Sequence, residues 1–316
     1  MTKGIIRIGV VTAYPEIDWH SRRLLEACSR RCSAVALDPG TFGAFLGADG
    51  LDPSAGGRPL WVDALVLARG LGTSGDPDVQ FELYRIVEEH GTPVVNRLGP
   101  LLAAQDKFRT SWLLRRAGVP TPAAAVAQTC EDAEAALEAL GSAVAKPIAG
   151  SLGEGVERIT ADPAGRAAVR EKVTRDHGVY LQSYVPHAGR DLRVFVVGGK
   201  VRAAIERIAP AGEWRTNVNM GGRACPWPCT AEVEAVAIAA AAAVGLDYAG
   251  VDLVLGPAGP AVIEVNGNPS WQGIQEATGL DMAEVIADHV LGRALRRRRT
   301  SDHIVRERER TGATHG

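Results

Sequence analysis

The first third of the chain alternates apolar runs of strand length with amphipathic stretches of helix length. Apolar runs at 5–13, 33–37, 63–69 and 93–96 predict strands, and stretches 19–32 and 77–89 predict helices, the first capped by Asp18. The Gly- and Pro-rich stretch 38–59 predicts a loop with at most one short helical turn. This alternation indicates a mostly parallel, doubly wound sheet. Residues 12–16 lack the glycines of a dinucleotide fingerprint, so the pattern disfavours an NAD site.

The remaining chain mixes helices with strands and tight turns. It predicts helices at 105–118, 132–140, 163–177, 231–245 and 281–295, with Asp106 and Thr230 as caps, and strands at 143–147, 156–160 and 179–185. The turn Gly198-Gly-Lys200 joins strands 192–197 and 201–208 as an antiparallel hairpin. In the last helix, His289 lies on the apolar stripe, and we assign it to packing rather than to a metal.

A second predicted hairpin, 251–255 and 261–265, carries the most informative polar residues. Asp252 lies on its first strand, and Glu264 and Asn266 lie two residues apart on its second, on one face. Two carboxylates and an amide oxygen suit a hard cation such as magnesium. The alternative is ordinary polar residues at a strand edge. Because unpaired carboxylates are costly in an apolar hairpin, the metal interpretation is favoured.

Lys146 ends an apolar strand just before a glycine-rich loop. The loop, Gly150-Ser151-Leu-Gly153-Glu-Gly155, allows backbone N–H groups to surround phosphate oxygens, although it is not a Walker A sequence. An ordinary hairpin turn would have a similar sequence. A lysine in an apolar strand indicates an anionic partner more strongly.

Composition narrows the possible classes of protein. The 316 residues are 46% hydrophobic and 23% charged, with a net charge of −2, so no overall field attracts nucleic acid or an anionic membrane. No segment has the layout of a signal peptide or a membrane span, which predicts a cytoplasmic protein. The five cysteines form no zinc or disulfide framework, and Cys225 and Cys229 are expected to be free thiols.

Several motifs in order resemble one enzyme family. They are Asp106-Lys107, Val144-Ala-Lys146-Pro with its glycine loop, Leu181-Gln-Ser-Tyr-Val185, Asp191-Leu-Arg193, Ile205-Glu-Arg207, Trp214-Arg-Thr-Asn217, Gly250-Val-Asp252, Ile263-Glu-Val-Asn-Gly-Asn-Pro269 and Gly273-Ile-Gln-Glu-Ala-Thr-Gly-Leu-Asp281. This order, over roughly residues 90 to 290, is similar to that of the ATP-grasp carboxylate–amine ligases, and within them to the RimK-like glutamate ligases.

The resemblance implies an α/β (α+β) ATP-grasp fold with an N-terminal Rossmann-like pre-ATP-grasp domain. The implied domains are 1–95 for that unit, 96–180 and 181–295 for the two ATP-grasp subdomains, and 296–316 for a basic, disordered tail. The tail includes the run Arg296–Arg299. Cations at a helix C-terminus complement its dipole, so nucleic-acid binding is not the favoured explanation.

The resemblance also implies a ligand for each motif. The phosphates of ATP would contact Lys107 and Lys146, and ATP would also contact Gly150, Ser151, Gly153 and Gly155 of the glycine loop. The adenine would contact the segment Gln182, Ser183, Tyr184 and Val185, and the ribose would lie near Asp191. On the phosphate or substrate side, the contacts would come from Arg215, Thr216 and Asn217. One or two Mg²⁺ or Mn²⁺ ions would bind Asp252, Glu264 and Asn266. Ser183 departs from the glutamate usual in the family, and a hydroxyl binds the nucleotide more weakly.

The implied reaction joins a carboxylate to an amine through an acyl phosphate. Arg193 and Arg207 are the candidates for steadying that intermediate, although surface pairing with Glu206 or Asp191 explains them equally well. The implied amine is L-glutamate, and the acceptor is a peptide, a carrier protein or a tetrahydromethanopterin-like cofactor on which Trp271 would stack. Two alternatives stay open, a non-catalytic nucleotide-binding module and an ATP-grasp kinase. We expect no nucleic-acid or membrane partner, and a homo-oligomer is compatible with the sequence.

Overall fold

The computed structural model describes residues 5–48, 50–148, 155–216 and 221–312. The strands are β1 Arg7–Thr12, β2 Ser33–Leu37, β3 Phe42–Gly47, β4 Gly50–Ala55, β5 Arg58–Pro59, β6 Ala64–Arg69, β7 Val94–Val95, β8 Ala124–Ala127, β9 Ser142–Lys146, β10 Glu157–Thr160, β11 Val179–Ser183, β12 Arg190–Val197, β13 Lys200–Ile208, β14 Arg223–Pro226, β15 Tyr248–Gly256 and β16 Gly259–Asn266. The helices are α1 Trp19–Ser29, α2 Pro77–Glu89, α3 Leu98–Gln105, α4 Lys107–Arg116, α5 Cys130–Leu140, α6 Pro163–Asp176, α7 Ala231–Val244, α8 Gln272–Thr278 and α9 Met282–Gly312.

The chain divides into two compact units. Residues 1–98 and 281–316 form the first unit, and residues 99–280 form the second. The finer division of the second unit at residue 180 stays a prediction.

The first unit is built on a four-stranded parallel sheet in the order β2-β1-β6-β7. Its central strands are buried, as their continuous apolar sequences require when both faces of a sheet are covered. Asp18 and Asp76 cap α1 and α2 by accepting hydrogen bonds from backbone N–H groups of the first turn. The sequence prediction of a doubly wound sheet therefore agrees with the architecture of this unit.

Stretch 38–59 differs from its expected loop. It forms a short 3₁₀ turn at Pro39–Thr41 and then a small antiparallel sheet in the order β3-β4-β5. Its glycines and prolines lie in the turns and strands of a small, partly exposed sheet. These residue types are depleted in ordinary strands, so local sequence signals favoured a loop.

The terminal helix also differs from expectation. It was predicted to end at Leu295, within the third domain, but α9 continues to Gly312 and packs against α1 of the first unit. Arg298 helps to hold the continued helix against the first unit. Its guanidinium donates to both carboxylate oxygens of Asp63 at 2.7 Å and to the carbonyl of Ile5 at 3.0 Å. Salt bridges from Arg30 and Arg31 to Glu284 join α1 to α9.

The second unit contains two antiparallel sheets. One has the order β10-β9-β11-β8 and packs its apolar face against α5 and α6. The other has the order β14-β13-β12-β15-β16 and packs against α7, whose small residues Ala237, Ala240 and Ala241 allow a close approach. Because side chains alternate along a strand, burying Leu192, Val194 and their neighbours beneath α7 turns the intervening polar residues to the opposite face.

Candidate active site

The metal-binding hairpin predicted from the sequence consists of β15 and β16. Asp252 lies directly opposite Glu264 across the two strands, and Gly250 lies opposite Asn266. A register shift after Asp252 places Leu253 opposite Val262, so Ile263 is the extra residue of a bulge. Asp252 is buried and Glu264 is half-buried. The hairpin therefore brings both carboxylates to one face of the sheet.

Asp252 is held by two arginines of the neighbouring strands. Arg193 on β12 donates to it through Nε and Nη2, and Arg207 on β13 approaches its Oδ2 at 3.1 Å. Arg207 also donates to Asp191 through Nε at 2.7 Å and Nη2 at 2.6 Å. Burial raises the pKa of Asp252, but the opposing charges of Arg193 and Arg207 outweigh it and hold that pKa below its usual value.

These pairs answer the question that the sequence left open about Arg193 and Arg207. Neither pairs with Glu206, whose carboxylate instead accepts from exposed Arg190 at 3.0 Å. Arg207 does pair with Asp191, but both side chains are buried, so the pair is not a surface salt bridge. Burial opposes the charge of Arg207, and the carboxylates of Asp252 and Asp191 nevertheless raise its pKa. The two arginines thus reach the predicted metal site through Asp252.

The two lysines of the predicted phosphate site line the same cavity as the two acids. Lys146 ends β9, and its Nζ donates to Gln182 Oε1 at 2.8 Å and to the carbonyl of Ile263 at 3.4 Å. Burial lowers the pKa of Lys146, and the negative charge of Glu264 opposes that shift. Lys107 begins α4, directly after the cap Asp106, whose carboxylate accepts from the backbone N–H of Arg109. The cavity therefore has cations facing carboxylates.

The enclosed part of this cavity has a volume of about 110 Å³. Of the predicted nucleotide residues, Gln182 to Val185 line this cavity as a continuous segment, and so do Asp191, Arg215 and Thr216. Arg207, predicted to be catalytic, lines it as well. Four predicted residues do not line it: Arg193, Gly155, Asn266 and Trp271. The predictions for Gly150, Ser151, Gly153 and Asn217 lie outside the described residues.

Sequence reasoning missed an apolar slot within the cavity. It is lined by Val144 of β9, Val254 of β15 and Ile263 of β16, and by Val156, which directly precedes β10. Each is an ordinary strand residue in the sequence, so only the pairing of strands shows that they converge. Aliphatic walls beside a segment that offers backbone polar groups suit a flat heterocycle.

Three aromatic rings form a further group that the sequence did not single out. Tyr184, His187 and Trp214 lie with ring centroids 5.7 to 6.3 Å apart, and all three line the cavity. The guanidinium of Arg158 stacks on Tyr184 at 3.9 Å. Burial lowers the pKa of His187, which favours a neutral ring at pH 7.

Thr216 and Arg215 are fixed by local acids. The Thr216 hydroxyl donates to Asp191 Oδ2 at 2.6 Å. Arg215 donates to Glu213 at 2.7 Å, and this bond, with backbone donors, lowers the pKa of Glu213 to about 2. Asp191 thus accepts from both Arg207 and Thr216. Because it binds both side chains, Asp191 positions them. Its predicted contact with the ribose stays a prediction.

The ring of Trp271, which was predicted to stack on a substrate, is buried. Its side chain is 2% exposed and meets Phe195 edge to face, with ring centroids 6.4 Å apart. The burial of Trp271 therefore assigns it to packing. Nothing in the sequence around Trp271, which follows the strand and its proline, indicates that the ring is buried.

The chain matches the model of the RimK-like ATP-grasp domain over residues 104–290. This match covers more than half of the chain. The chain belongs to the RimK-like ATP-grasp family. It is an ATP-dependent ligase by this membership, and the predicted ATP-grasp fold and enzyme class are confirmed.

Curated relatives extend the likeness over most of the chain. The tetrahydromethanopterin:alpha-L-glutamate ligase of Methanosarcina acetivorans is 31% identical, covering 90% of this chain and 98% of the relative. The probable alpha-L-glutamate ligase 2 of Shewanella amazonensis is 32% identical, covering 90% and 95%.

Solved structures share the fold. The ATP-grasp ligase PsnB, solved with a precursor variant, Mg and ADP, aligns with a TM-score of 0.71 at 20% identity, covering 91% of this chain and 98% of PsnB. A RimK-domain ATP-grasp protein of Sphaerobacter thermophilus aligns with a TM-score of 0.66 at 23% identity, covering 90% and 99%.

The donor set of this ATP-grasp chain suits a hard cation. Among the described residues, no three His, Cys, Asp or Glu side chains form a metal cluster. The predicted donors are two carboxylates, Asp252 and Glu264, and the Asn266 amide. Asn266 Nδ2 approaches the carbonyl of Gly250 at 3.5 Å, which makes Oδ1 the atom for a cation. Oxygen donors of this kind fit Mg²⁺ rather than a soft metal.

Two remaining sequence expectations concern thiols and membranes. Cys225 and Cys229 are free thiols in the structure. Within residues 5–48, 50–148, 155–216 and 221–312, no helix has both the length and the apolar character needed to cross a bilayer.

Proposed function

We propose that this protein uses ATP and Mg²⁺ to join the amine of L-glutamate to a carboxylate of an acceptor. The observation that carries the proposal is one cavity in which Lys107 and Lys146 face Asp252 and Glu264. A triphosphate brings negative charge that the lysines neutralise, and the two acids supply oxygens for the ion that accompanies it. Transfer of a phosphoryl group needs this positioning and charge neutralisation more than it needs a nucleophilic side chain.

The nucleotide would occupy the cavity from the apolar slot to the lysines. Val144, Val156, Val254 and Ile263 would contact the faces of the base, and the backbone of Gln182 to Val185 would bond its edge. Ser183 lines the cavity, and its hydroxyl would give a weaker contact than a carboxylate. Lys146 would then exchange its bond with Gln182 for the phosphates, whose negative charge would favour its protonated form.

Asp252, Glu264 and Asn266 would hold one or two divalent ions, and Mn²⁺ would suit the same oxygens. A bound ion supplies neutralisation of the phosphate charge. Arg193 and Arg207 hold the Asp252 carboxylate in place. Arg207 lines the cavity and is therefore the better candidate to contact the acyl phosphate, whereas Arg193 acts by positioning Asp252.

The chemistry proceeds in two steps. An oxygen of the acceptor carboxylate attacks the γ-phosphorus of ATP, the bond to the β-phosphate oxygen breaks, and an acyl phosphate and ADP form. The glutamate amine then attacks the acyl carbon, loses a proton, and releases inorganic phosphate as the amide forms. Glutamate is proposed because curated relatives that cover 90% of this chain are named as glutamate ligases.

Two acceptor classes have support. The Methanosarcina relative is named for a small-molecule cofactor, and PsnB is solved with a peptide precursor. Because the sequence likeness is greater to the former, at 31% against 20%, we propose a small-molecule carboxylate as the first acceptor to test. The burial of Trp271 removes the reason for requiring a flat pterin ring.

The test is an acceptor screen with ATP, Mg²⁺ and L-glutamate, in which the amide is detected by mass and ADP is measured in parallel. We expect equal amounts of amide and ADP. A Lys146→Met variant should lose at least a hundredfold in rate, whereas Lys200→Met, at the exposed hairpin turn, should match the wild type. ADP with a phosphorylated product and no amide would indicate a kinase, and nucleotide binding without turnover would indicate a non-catalytic module.

A further inference from the structure

The run of arginines near the end of the chain has no part in the proposed reaction. Five arginines lie within residues 293–299. Cations at a helix C-terminus would complement its dipole, but α9 continues to Gly312, several turns beyond Arg299. Because the dipole acts only within the last turn of a helix, it does not account for this run.

The spacing of these residues places four polar side chains on one face of α9. Arg293, Arg296, Arg297 and Thr300 recur at intervals of three and four positions, as residues of a single helix face do. All four line a cavity of about 420 Å³. The opposite wall comes from segment 90–93, which joins α2 to β7. Every wall of this cavity therefore belongs to the first unit.

Among the described residues, no carboxylate lines this cavity. Elsewhere in the first unit, α9 makes contacts that match opposite charges, since Glu284 pairs with Arg30 and Arg31, and Arg298 pairs with Asp63. Cations that converge without an acid repel one another, and a bound anion relieves that repulsion. The lining of the cavity therefore favours an anionic ligand.

Arg296 and Arg297 both keep donors for such a ligand. Arg296 is exposed on the cavity face of the helix. Arg297 donates to the carbonyl of Val62 at 3.4 Å through Nη1. That acceptor is neutral and takes one of the five N–H groups of a guanidinium, so the charge of Arg297 is not balanced there.

The backbone of the opposite wall is satisfied locally. The backbone N–H groups of His90, Gly91 and Thr92 donate to carbonyls of the last turn of α2 at 2.8 to 3.2 Å. The ring of His90 donates to the carbonyl of Ile86 at 3.2 Å through Nδ1. The end of α2 therefore does not require the arginines as hydrogen-bond donors.

We propose that this cavity binds a small molecule that carries two or more phosphate groups, with Arg296 and Arg297 as the charged partners. The N–H groups of a guanidinium match two oxygens of one phosphate, so two neighbouring arginines suit neighbouring phosphates. A volume of about 420 Å³ lies within the range of small-molecule sites. The residues of the proposed ligase reaction all belong to the second unit, so binding here does not depend on that reaction.

The test titrates sodium tripolyphosphate into the full chain by calorimetry in a metal-free buffer. Arg296→Gln should weaken binding about tenfold, because charge-assisted hydrogen bonds to phosphate are lost. Arg296→Lys should weaken it less, since the charge remains but the paired donors do not. Arg299→Gln is the matched control, because it removes the same charge from the same helix at a position that does not line the cavity, and it should bind as the wild type does.

A Lys146→Met background separates this site from the ligase cavity, where Lys146 is also proposed to bind phosphates. Tripolyphosphate should still bind to Lys146→Met, and adding Arg296→Gln should again weaken binding about tenfold. Loss of all binding in Lys146→Met would show that the probe occupies the ligase cavity, and it would overturn the proposal. Equal affinities for Arg296→Gln and Arg299→Gln would overturn it as well.

Two further probes define the ligand. Inorganic phosphate should bind at least about tenfold more weakly than tripolyphosphate, because it carries less charge, and equal affinities would refute a site for two phosphates. If a short DNA duplex binds more tightly than tripolyphosphate and loses as much through Arg299→Gln as through Arg296→Gln, the run is a nucleic-acid surface and the proposal fails. Since Arg296 is exposed, Arg296→Gln should keep the urea midpoint of the wild type. Should it unfold, Arg296→Lys decides the result.

Discussion

Replacing Asp252 by Asn tests how the buried charges of the second sheet hold together. Asp252 is 3% exposed, and it accepts from Arg193 through two nitrogens and from Arg207 at 3.1 Å. The amide retains one acceptor oxygen but presents an N–H₂ to a guanidinium, and the charge that balanced two buried cations is lost. Breaking a buried pair from one side costs about 3–5 kcal/mol. Because Arg207 keeps Asp191, we expect the lower end, about 3 kcal/mol.

The assay is urea unfolding, followed by circular dichroism and by tryptophan fluorescence. With a slope of about 3 kcal/mol per molar urea, the midpoint of the second unit should fall by about 1 M. Glu264→Gln is the matched control, because Glu264 lies directly across the hairpin but is half-buried, and its midpoint should fall by less than about 0.3 M.

A double-mutant cycle locates the effect. Arg193→Met in the Asp252→Asn background should cost about 2 kcal/mol less than it does in the wild type, since its partner is already gone. Equal midpoints for Asp252→Asn and Glu264→Gln, or additive costs in the cycle, would refute the view that the arginine pairs hold Asp252.

Three further predictions concern other contacts. His20→Gln should reduce the loss of stability at acid pH. The pKa of His20 falls from 6.5 to about 4 on folding, so the unfolded chain takes up the proton first. The stability of the wild type should therefore fall as the pH drops from 6.5 towards 4, by about 2 kcal/mol after allowing for solvent screening. Urea midpoints at pH 6.5 and 4.5 measure this, and an unchanged pH slope in the variant would be inconsistent with it. Trp271→Ala should cost about 3–5 kcal/mol, whereas Trp271→Phe should leave the KM for the acceptor unchanged; a raised KM with normal stability would restore the substrate role. Thr216→Val should lower stability by about 1 kcal/mol through loss of its bond to Asp191, and an unchanged urea midpoint would show that this bond contributes nothing.

Much of the fold follows from local patterns in the sequence. The caps Asp18, Asp106 and Thr230 were predicted because each precedes an amphipathic stretch, and each accepts from the backbone of its helix. The hairpin with Asp252 and Glu264 was predicted because a Gly/Pro turn separates two apolar runs of equal length. These features depend on residues close together in the chain.

The features that were missed depend on distant residues or on weak local signals. β3 to β5 contain prolines and glycines that local rules assign to loops. The continuation of α9 depends in part on Asp63, more than two hundred residues away, which binds Arg298.

For the site, the sequence pointed to candidate residues but did not show which side chains pair with one another. Arg193 faces Asp252 because their strands are adjacent in the sheet, and periodicity along either strand alone does not show which strands pair. Trp271 looked available because it follows a strand carrying predicted metal ligands, yet its ring is buried against Phe195. Pairing between strands is a tertiary property, and it decides both outcomes.

The central claim is that a carboxylate oxygen of the acceptor is phosphorylated in the cavity that Lys146 and Glu264 share. The most direct test supplies the acceptor found in the screen with ¹⁸O in its carboxylate, together with ATP, Mg²⁺ and L-glutamate, and analyses the released phosphate by mass. We expect one ¹⁸O atom in each phosphate and one amide formed with it. Unlabelled phosphate accompanying the amide would contradict it.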